Sequence, residues 1–459
     1  MAVSVEEIVT VNPATEEEAG RYRVMSETEV ASVLEAVQRS GVAWREVPMS
    51  RRSELMHAAA AVMRRRLWEL AGLITTEMGK AVTEARGEVE KCATACDHFA
   101  DHAAEYLRDL DAPSDGSRSF VTFEPLGTVL AIMPWNFPLW QVTRFAAPAL
   151  MAGNTGVLKH ASNTTGCALA IESVFRDAGF PESVFRTLVL PGSRVAPVIA
   201  DPRIAAVTLT GSEEAGSQTA TAAGRSLKKT VLELGGSDAF VVLEDADVEA
   251  AARVGVRSRF QNCGQSCISA KRFIVVDTVA GQFEEAFVAE TRRLQVGDPA
   301  DATTQMGPLA RDDLREDLER QLRESVAAGA RLLTGGRRLD HRGWFFEPTV
   351  LTGCAPGMSA FDEETFGPLA AVSRVTGEDE ARELANHSSF GLGGNVWTAD
   401  LERGIRFARS LETGGVFVNG MTHSDPRLPF GGVKRSGYGR ELHSFGIREF
   451  VNVKTIWVG

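Results

Sequence analysis

Three short segments of this chain carry residues whose types and spacing suit covalent chemistry on a carbonyl. The run Phe260-Gln261-Asn262-Cys263-Gly264-Gln265-Ser266-Cys267 follows a helical stretch, is broken by a glycine, and opens into an apolar segment. A thiol on such a turn can sit beside backbone N–H groups that favour the thiolate, the reactive form, which makes Cys267 a candidate nucleophile. A buried structural role is the simpler reading of any single cysteine, but the neighbouring Asn, Gly and Gln argue against it here. Glu233 lies between leucines in LELGG at 232–236. Burying a carboxylate there is costly unless it takes up a proton or finds a partner, so Glu233 is a candidate general base. The bland alternative is a strand-end Glu that reaches water. Asn136, held between two prolines in PWNFP at 134–138, is a rigid hydrogen-bond donor suited to a developing oxyanion. By itself, that segment could also be a stiff turn.

The elements that must position these residues follow from periodicity. Apolar residues recur at helical spacing over Thr28–Val47, Ser50–Met78 and Ala81–Leu107. A polar break, APSDGS, precedes a short strand-like run, Ser119–Phe123. From Val129, apolar runs (VLAIM, GVLK, RTLVL, AAVTLT, TVLEL) alternate with helical segments near 163–178, 194–200 and 213–227. Alternating β and α with apolar strands predicts a parallel, doubly wound sheet. PWNFP then falls at the carboxyl end of the first strand, the edge where such sheets bind ligands. A second series runs from AFVVL at 239 through a helix at Val248–Phe260, RFIVV and a helix at 279–293 to GGVFVNG at 414–420. The last stretch, REFVNVKTIWV, is a strand with no partner nearby in sequence, so it must pair with a distant segment or another subunit.

Composition excludes several classes. The chain has 459 residues, 44% hydrophobic and 24% charged, enough for about three domains with cores that need no disulfide or metal. A net charge of −12 and a pI near 5.3 speak against nucleic acid or an anionic membrane as partner, though a local cationic pocket remains compatible with them. The six cysteines are sparse and uneven, unlike a disulfide framework. Cys92 and Cys96 read as two small residues on one helix face, and no Cys/His grouping has zinc spacing, so no metal is expected. The N-terminus lacks the features of a signal or transit peptide. Residues 126–143 are uncharged but interrupted by Pro134, Asn136, Pro138 and Gln141, which is not a membrane span. A cytoplasmic protein is expected.

Taken together, these segments resemble the aldehyde dehydrogenase family. FQNCGQSC is similar to its F-x-N-x-G-Q-x-C box, LELGG to its glutamate box and PWNFP to its asparagine box. ETFGP at 364–368 is similar to its E-x-F-G-P cofactor segment and PFGGVK at 429–434 to its closing motif. The matches come in family order and span residues 12 to 459. The resemblance implies an α/β fold of two doubly wound parallel-sheet domains plus a small β oligomerisation element. It implies a dinucleotide-binding domain at 1–112 and 127–235, a catalytic domain at 236–428, and an oligomerisation element at 113–126 and 429–459, with a homodimer or homotetramer as the assembly. It also implies that Cys267 is the nucleophile, that Asn136 and the Cys267 N–H stabilise the thiohemiacetal oxyanion, and that Glu233 activates water to release the acid from the thioester. A hydrolytic Glu speaks against the acylating branch that uses coenzyme A. A cysteine hydrolase lacks support, because no His sits in a motif that would pair with Cys267. A catalytically silent binding protein of the same fold is disfavoured by the intact Cys, Glu and Asn.

The first strand is not followed by G-x-G-x-x-G. In its place Thr210-Gly211-Ser212 runs into a helix start that can offer N–H groups to a pyrophosphate. The resemblance places Trp135, Lys159, Ser162, Gly211, Ser212, Glu364 and Phe366 at the cofactor, with Lys159 on the adenosine ribose and Glu364 on the nicotinamide ribose. His160 departs from the Pro common at that position. Ser162 stands where members that prefer NAD often carry Glu. It removes a repulsion against a 2′-phosphate, so NADP is the expected cofactor and NAD a possible one. The pattern PWNFPLWQVTR, LKHASN and LPFGGVKRSGYGREL is most similar to bacterial succinate-semialdehyde dehydrogenases, with other short aliphatic aldehydes as the alternative. Arg144, eight residues beyond Asn136, is then expected to hold the substrate carboxylate, since two helical turns span about 11 Å and a guanidinium matches a carboxylate. Gln261 stands where such enzymes can hold a second Arg, so Ser424 and Phe430 near the closing motif are expected to share recognition. Cys263, four residues before Cys267, could form a reversible disulfide with it, or could simply pack the loop.

Overall fold

The computed structural model describes residues 6–459. Two mostly parallel sheets form its frame. The first has six strands in the order Gly437–Tyr438, Lys229–Glu233, Ile204–Thr210, Thr128–Met133, Thr155–His160 and Phe185–Thr187. All pair in parallel except the two-residue strand at 437–438. The second has seven strands: Arg331–Thr334, Thr349–Thr352, Leu369–Val375, Ala270–Val276, Asp238–Val242, Gly393–Trp397 and Gly415–Val418. Only its first strand is antiparallel. The central strands of both sheets are buried along most of their length, which is why they read as unbroken apolar runs.

The N-terminal helices divide between the two faces of the first sheet: Glu27–Trp44 packs with Leu130 and Val157, and the helices over 49–106 join the core that holds Val129 and Ala131. The helix Glu27–Trp44 begins at a capping box in which Ser26 and Glu29 satisfy each other's backbone N–H groups. The expected helix over Ser50–Met78 is two, Met49–Arg65 and Leu67–Met78, broken at Arg66. No Pro or Gly marks that break. The Arg66 guanidinium instead reaches Glu69, Ser173 and Asp177, contacts with a distant segment that no local pattern records. A hairpin of Glu7–Asn12 and Glu17–Arg23, not anticipated from sequence, precedes these helices. Also unread were the strands and helices between 312 and 410, which complete the second sheet.

The terminal strand Val451–Val458 finds its distant partner within the chain. It pairs antiparallel with Arg118–Pro125 over eight residues, in a three-stranded sheet with Leu110–Asp111. The expected unit at 429–459 is therefore not one element. Residues 437–438 join the first sheet, setting Gly437 opposite Glu233, and Val433–Lys434 pairs with Phe390–Gly391 of the second half. Residues 433–438 thus link the edge of the first sheet to the short strand Phe390–Gly391, which directly precedes Gly393–Trp397 of the second.

Candidate active site

The cysteine segment owes its shape to three successive residues in the left-handed region, Asn262 (φ 53°), Cys263 (φ 55°) and Gly264 (φ 72°). Asn tolerates this conformation and Gly adopts it freely. Gly264 has a second reason to lack a side chain, because a Cβ there would lie 2.3 Å from the Gly367 carbonyl oxygen. The turn is clasped to the asparagine segment by amide side chains. Asn262 Nδ2 donates to the carbonyls of Asn136 (2.8 Å) and Gln265 (3.0 Å), and Asn136 Nδ2 donates to the Gln265 carbonyl (3.1 Å). Gln265 in turn donates to the Asn262 carbonyl and accepts from the Ala310 N–H. Asn136 Oδ1 accepts from Gln141, so the amide cannot flip without losing a bond. One Nδ2 hydrogen remains for an oxyanion. The Cys267 N–H makes no intramolecular hydrogen bond among the described residues and is a second donor beside it.

Two buried cations hold the loop from behind. Lys271 Nζ donates to the carbonyls of Ser266 and Cys267, both at 2.9 Å, and lies 3.6 Å from Glu364. Arg259 is fully buried, and among the described residues no carboxylate is in hydrogen-bond reach of it. It donates to the carbonyls of Gly264, Ala270, Thr365 and Gly367, joining the cysteine turn to the Glu364 segment. Its burial brings the guanidinium down to about 9. Glu364 accepts from the Gly236 N–H, and a Cβ on Gly236 would meet the Cys267 carbonyl at 2.6 Å. The glycines of LELGG thus let three segments converge. Lys271, Arg259, Gln265 and Asn262 were not singled out as working residues from sequence, although the last two belong to the cysteine motif itself.

A cleft of about 440 Å³ opens between the sheets. Cys267 and Asn136 line it, with Trp135, Gly211 and Ser212. Glu364 and Phe366 close another side, Phe366 meeting Trp135 edge-on at 5.7 Å. Ser212 caps the helix Glu213–Arg225 by accepting from the Ala215 N–H, so the helix N-terminus faces the cleft. Lys159 ends its strand buried and without an ion-pair partner among the described residues, and Ser162 begins the following turn. Neither lines the Cys267 cleft. An unpaired buried ammonium and a helix N-terminus fit an anionic, hydroxyl-rich ligand such as a dinucleotide. His160 is explained by its neighbours: its ring bonds the Pro138 carbonyl and the Thr164 hydroxyl, and burial holds it down at about 4, hence neutral. It ties the strand end to the asparagine segment. Among the described residues no His/Cys/Asp/Glu group suits a metal ion.

Arg144 departs from expectation. It is buried and ion-paired with Glu441, bonds the Thr210 hydroxyl at 3.3 Å, and lies 4.5 Å from the Phe430 ring. A guanidinium free for substrate is therefore not what the fold presents. Phe430 covers this pair, and neither residue lines the Cys267 cleft. Glu233 faces the same pair, its two carboxyl oxygens without hydrogen bonds among the described residues. Burial and the nearby Glu441 raise Glu233 well above the usual carboxylate range, against the pull of Arg144. Burial also pushes the Cys267 thiol up to about 12, with Arg144 and Lys271 pulling the other way. Gln261 lines a separate cleft together with Phe137. Ser424 is buried between Lys91 and Trp140, whose side-chain nitrogens both donate to its hydroxyl. Cys263 packs into the apolar core of the second sheet with Phe260, while Cys267 meets the first core, which favours the packing role over a disulfide.

The sequence matches the aldehyde dehydrogenase family over residues 1–456. The chain belongs to that family. It is 47% identical over 454 residues to succinate-semialdehyde dehydrogenase [NADP(+)] 1 of Mycobacterium tuberculosis, covering 98% of this chain and 99% of the relative. It is 48% identical over 456 residues to the succinate-semialdehyde dehydrogenase [NADP(+)] of Mycobacterium avium, covering 98% and 97%. The fold superposes with a TM-score of 0.96 on succinic semialdehyde dehydrogenase from Streptococcus pyogenes in complex with NADP+, at 38% identity and covering 98% and 99% of the two chains. An aldehyde dehydrogenase of this architecture invites two direct tests of the site. Gly264→Ala is expected to lower stability by about 1–3 kcal/mol and to slow alkylation of Cys267 by iodoacetamide, because the turn must shift. Melting temperature and alkylation rate check this, and parental values for both would refute the steric account. Glu441→Gln removes a negative neighbour and leaves Arg144 to favour the ionised form of Glu233. The Glu233 carboxyl is then expected to lose its proton at lower pH than in the parent, read from the protonated-carboxyl infrared band. A shift to higher pH would contradict the assigned arrangement.

Proposed function

We propose that this chain oxidises succinate semialdehyde to succinate with reduction of NADP, NAD serving as the poorer acceptor. The observation that carries this reading is full-length identity near one-half to NADP(+) succinate-semialdehyde dehydrogenases, in a chain whose Cys267 and Asn136 share one cleft. Cys267 attacks the aldehyde carbon as the thiolate, its proton having passed to solvent water, and the oxyanion is received by Asn136 Nδ2–H and the Cys267 N–H. NADP, when bound, supplies the acceptor for the hydride. Lys159 and Ser162 would hold its adenosine side, the helix N-terminus at Gly211 and Ser212 would take the pyrophosphate, and Glu364 with Phe366 and Trp135 would hold the nicotinamide side. Glu233, once deprotonated, takes a proton from the water that attacks the thioester carbon and returns it to the Cys267 sulfur as the C–S bond breaks, which restores the thiol.

Among the described residues no helix is long and apolar enough to cross a membrane. The terminal strand lies at the edge of its sheet and exposes Val453 and Trp457, which supports a homo-oligomer assembled across that edge.

Initial rates test the substrate and cofactor together. Succinate semialdehyde is expected to exceed butanal in kcat/KM by at least about 30-fold, the worth of one buried charge contact near 2 kcal/mol. Comparable values for several unrelated short aldehydes would instead make this a broad-specificity enzyme. NADP should exceed NAD, and Ser162→Glu should move the ratio towards NAD; a parent that favours NAD overturns the cofactor assignment. In stopped flow, Glu233→Gln is expected to give one burst of reduced cofactor per active subunit followed by a slow phase. Steady turnover at the parental rate would assign hydrolysis to another base.

A further inference from the structure

We propose that Lys91, with Ser424, seats the distal carboxylate of the substrate. This rests on the reading of the substrate as an aldehyde that bears a carboxylate. Lys91 lies on the helix Val82–Tyr106 and lines a cleft of about 510 Å³, next to the Asn136 corner. Phe137, the residue after Asn136, lines this second cleft, whereas Asn136 lines the first, so the oxyanion donor sits where the two approach each other. Gln261 and Asn262 of the cysteine turn line the second cleft as well, which brings it to the segment that carries Cys267.

Charge in this cleft is almost fully accounted for. Glu88 is paired with Lys80 and accepts from the N–H groups of Leu139 and Trp140, while Glu84 accepts from the Asn262 N–H. Of the two lysines that line this cleft, Lys80 is paired with Glu88, whereas Lys91 has no carboxylate within ion-pair distance among the described residues. Its ammonium donates to Ser424 Oγ at 2.8 Å and lies 4.2 Å from the Trp140 ring. Ser424 Oγ also accepts from Trp140 Nε1 at 3.1 Å, so its own hydrogen is free to donate to an anion. Burial and the nearby Arg144 bring Lys91 down to about 8, which still leaves it cationic at neutral pH and short of a counter-ion. Exposed Arg257 at the rim adds positive charge on the way in. Arg144, the residue expected in this role, is already neutralised by Glu441, and Gln261 offers only an amide.

The test compares Lys91→Met, Lys91→Arg and Ser424→Ala with the parent, each with succinate semialdehyde and with butanal at saturating NADP. In Lys91→Met, kcat/KM for succinate semialdehyde should fall about 30-fold, chiefly through KM, with butanal within about twofold of the parent. Lys91→Arg should recover most of the loss, and Ser424→Ala should show a smaller one of the same selectivity. Butanal turnover reports that each variant is folded. Unchanged selectivity in both Lys91→Met and Ser424→Ala overturns the assignment, as does an equal loss for both aldehydes in Lys91→Met. A parent that does not prefer succinate semialdehyde over butanal defeats the substrate reading itself, and the carboxylate seat with it.

Discussion

The site depends on one constraint: the backbone around the cysteine must turn left-handed for three residues and stay there. That conformation costs on the order of 1–3 kcal/mol at each non-glycine position and persists only when its surroundings over-determine it. Here the Asn262 side chain supplies the surroundings, bonding the carbonyls of Asn136 and Gln265 at once, while Gln265 returns a bond to the Asn262 carbonyl. The same bonds tie the end of the first sheet to the start of the second. Nucleophile and oxyanion donor are held in register because each is part of the other's support.

Buried charge does the rest of the positioning. Lys271 and Arg259 use most of their hydrogen bonds on carbonyl oxygens, in segments that have no ladder to satisfy them. Removing either would leave several buried acceptors unpaired, each costing about 1–3 kcal/mol. Arg144 works differently, as one cation between two carboxyls. It pairs with Glu441 and pulls against the burial and the Glu441 charge that raise Glu233 well above the usual carboxylate range. A carboxyl raised in that way is a stronger base than an exposed glutamate once it has lost its proton, which is the property the proposed hydrolysis asks of Glu233.

Much of this was legible in the residues themselves. A strand is buried on both faces or it is not, and its composition records which, so the alternating runs from Val129 to Val276 disclosed the parallel sheets. The cysteine, glutamate and asparagine segments announced themselves because covalent chemistry needs those residue types on turns at strand ends. Left-handed backbone leaves its own trace, an Asn and a Gly within three residues. The terminal strand at 451–458 was visible as a strand, and its lack of a local partner was visible too.

What the chain could not disclose were pairings between residues far apart in sequence. Arg144 on its helix looks equally suited to a substrate or to a carboxylate of the protein; only the closing strap, which carries Glu441 into place, decided between them. Lys91 looks like any surface lysine on an amphipathic helix until Ser424, 333 residues later, is folded against it. Helix breaks such as Arg66 follow the same logic. Sequence determined which residues could do chemistry and which elements would carry them, because those properties are local. Tertiary structure decided which charges meet, because a buried charge takes its role from the partner that compensates it, and that partner is set by the fold.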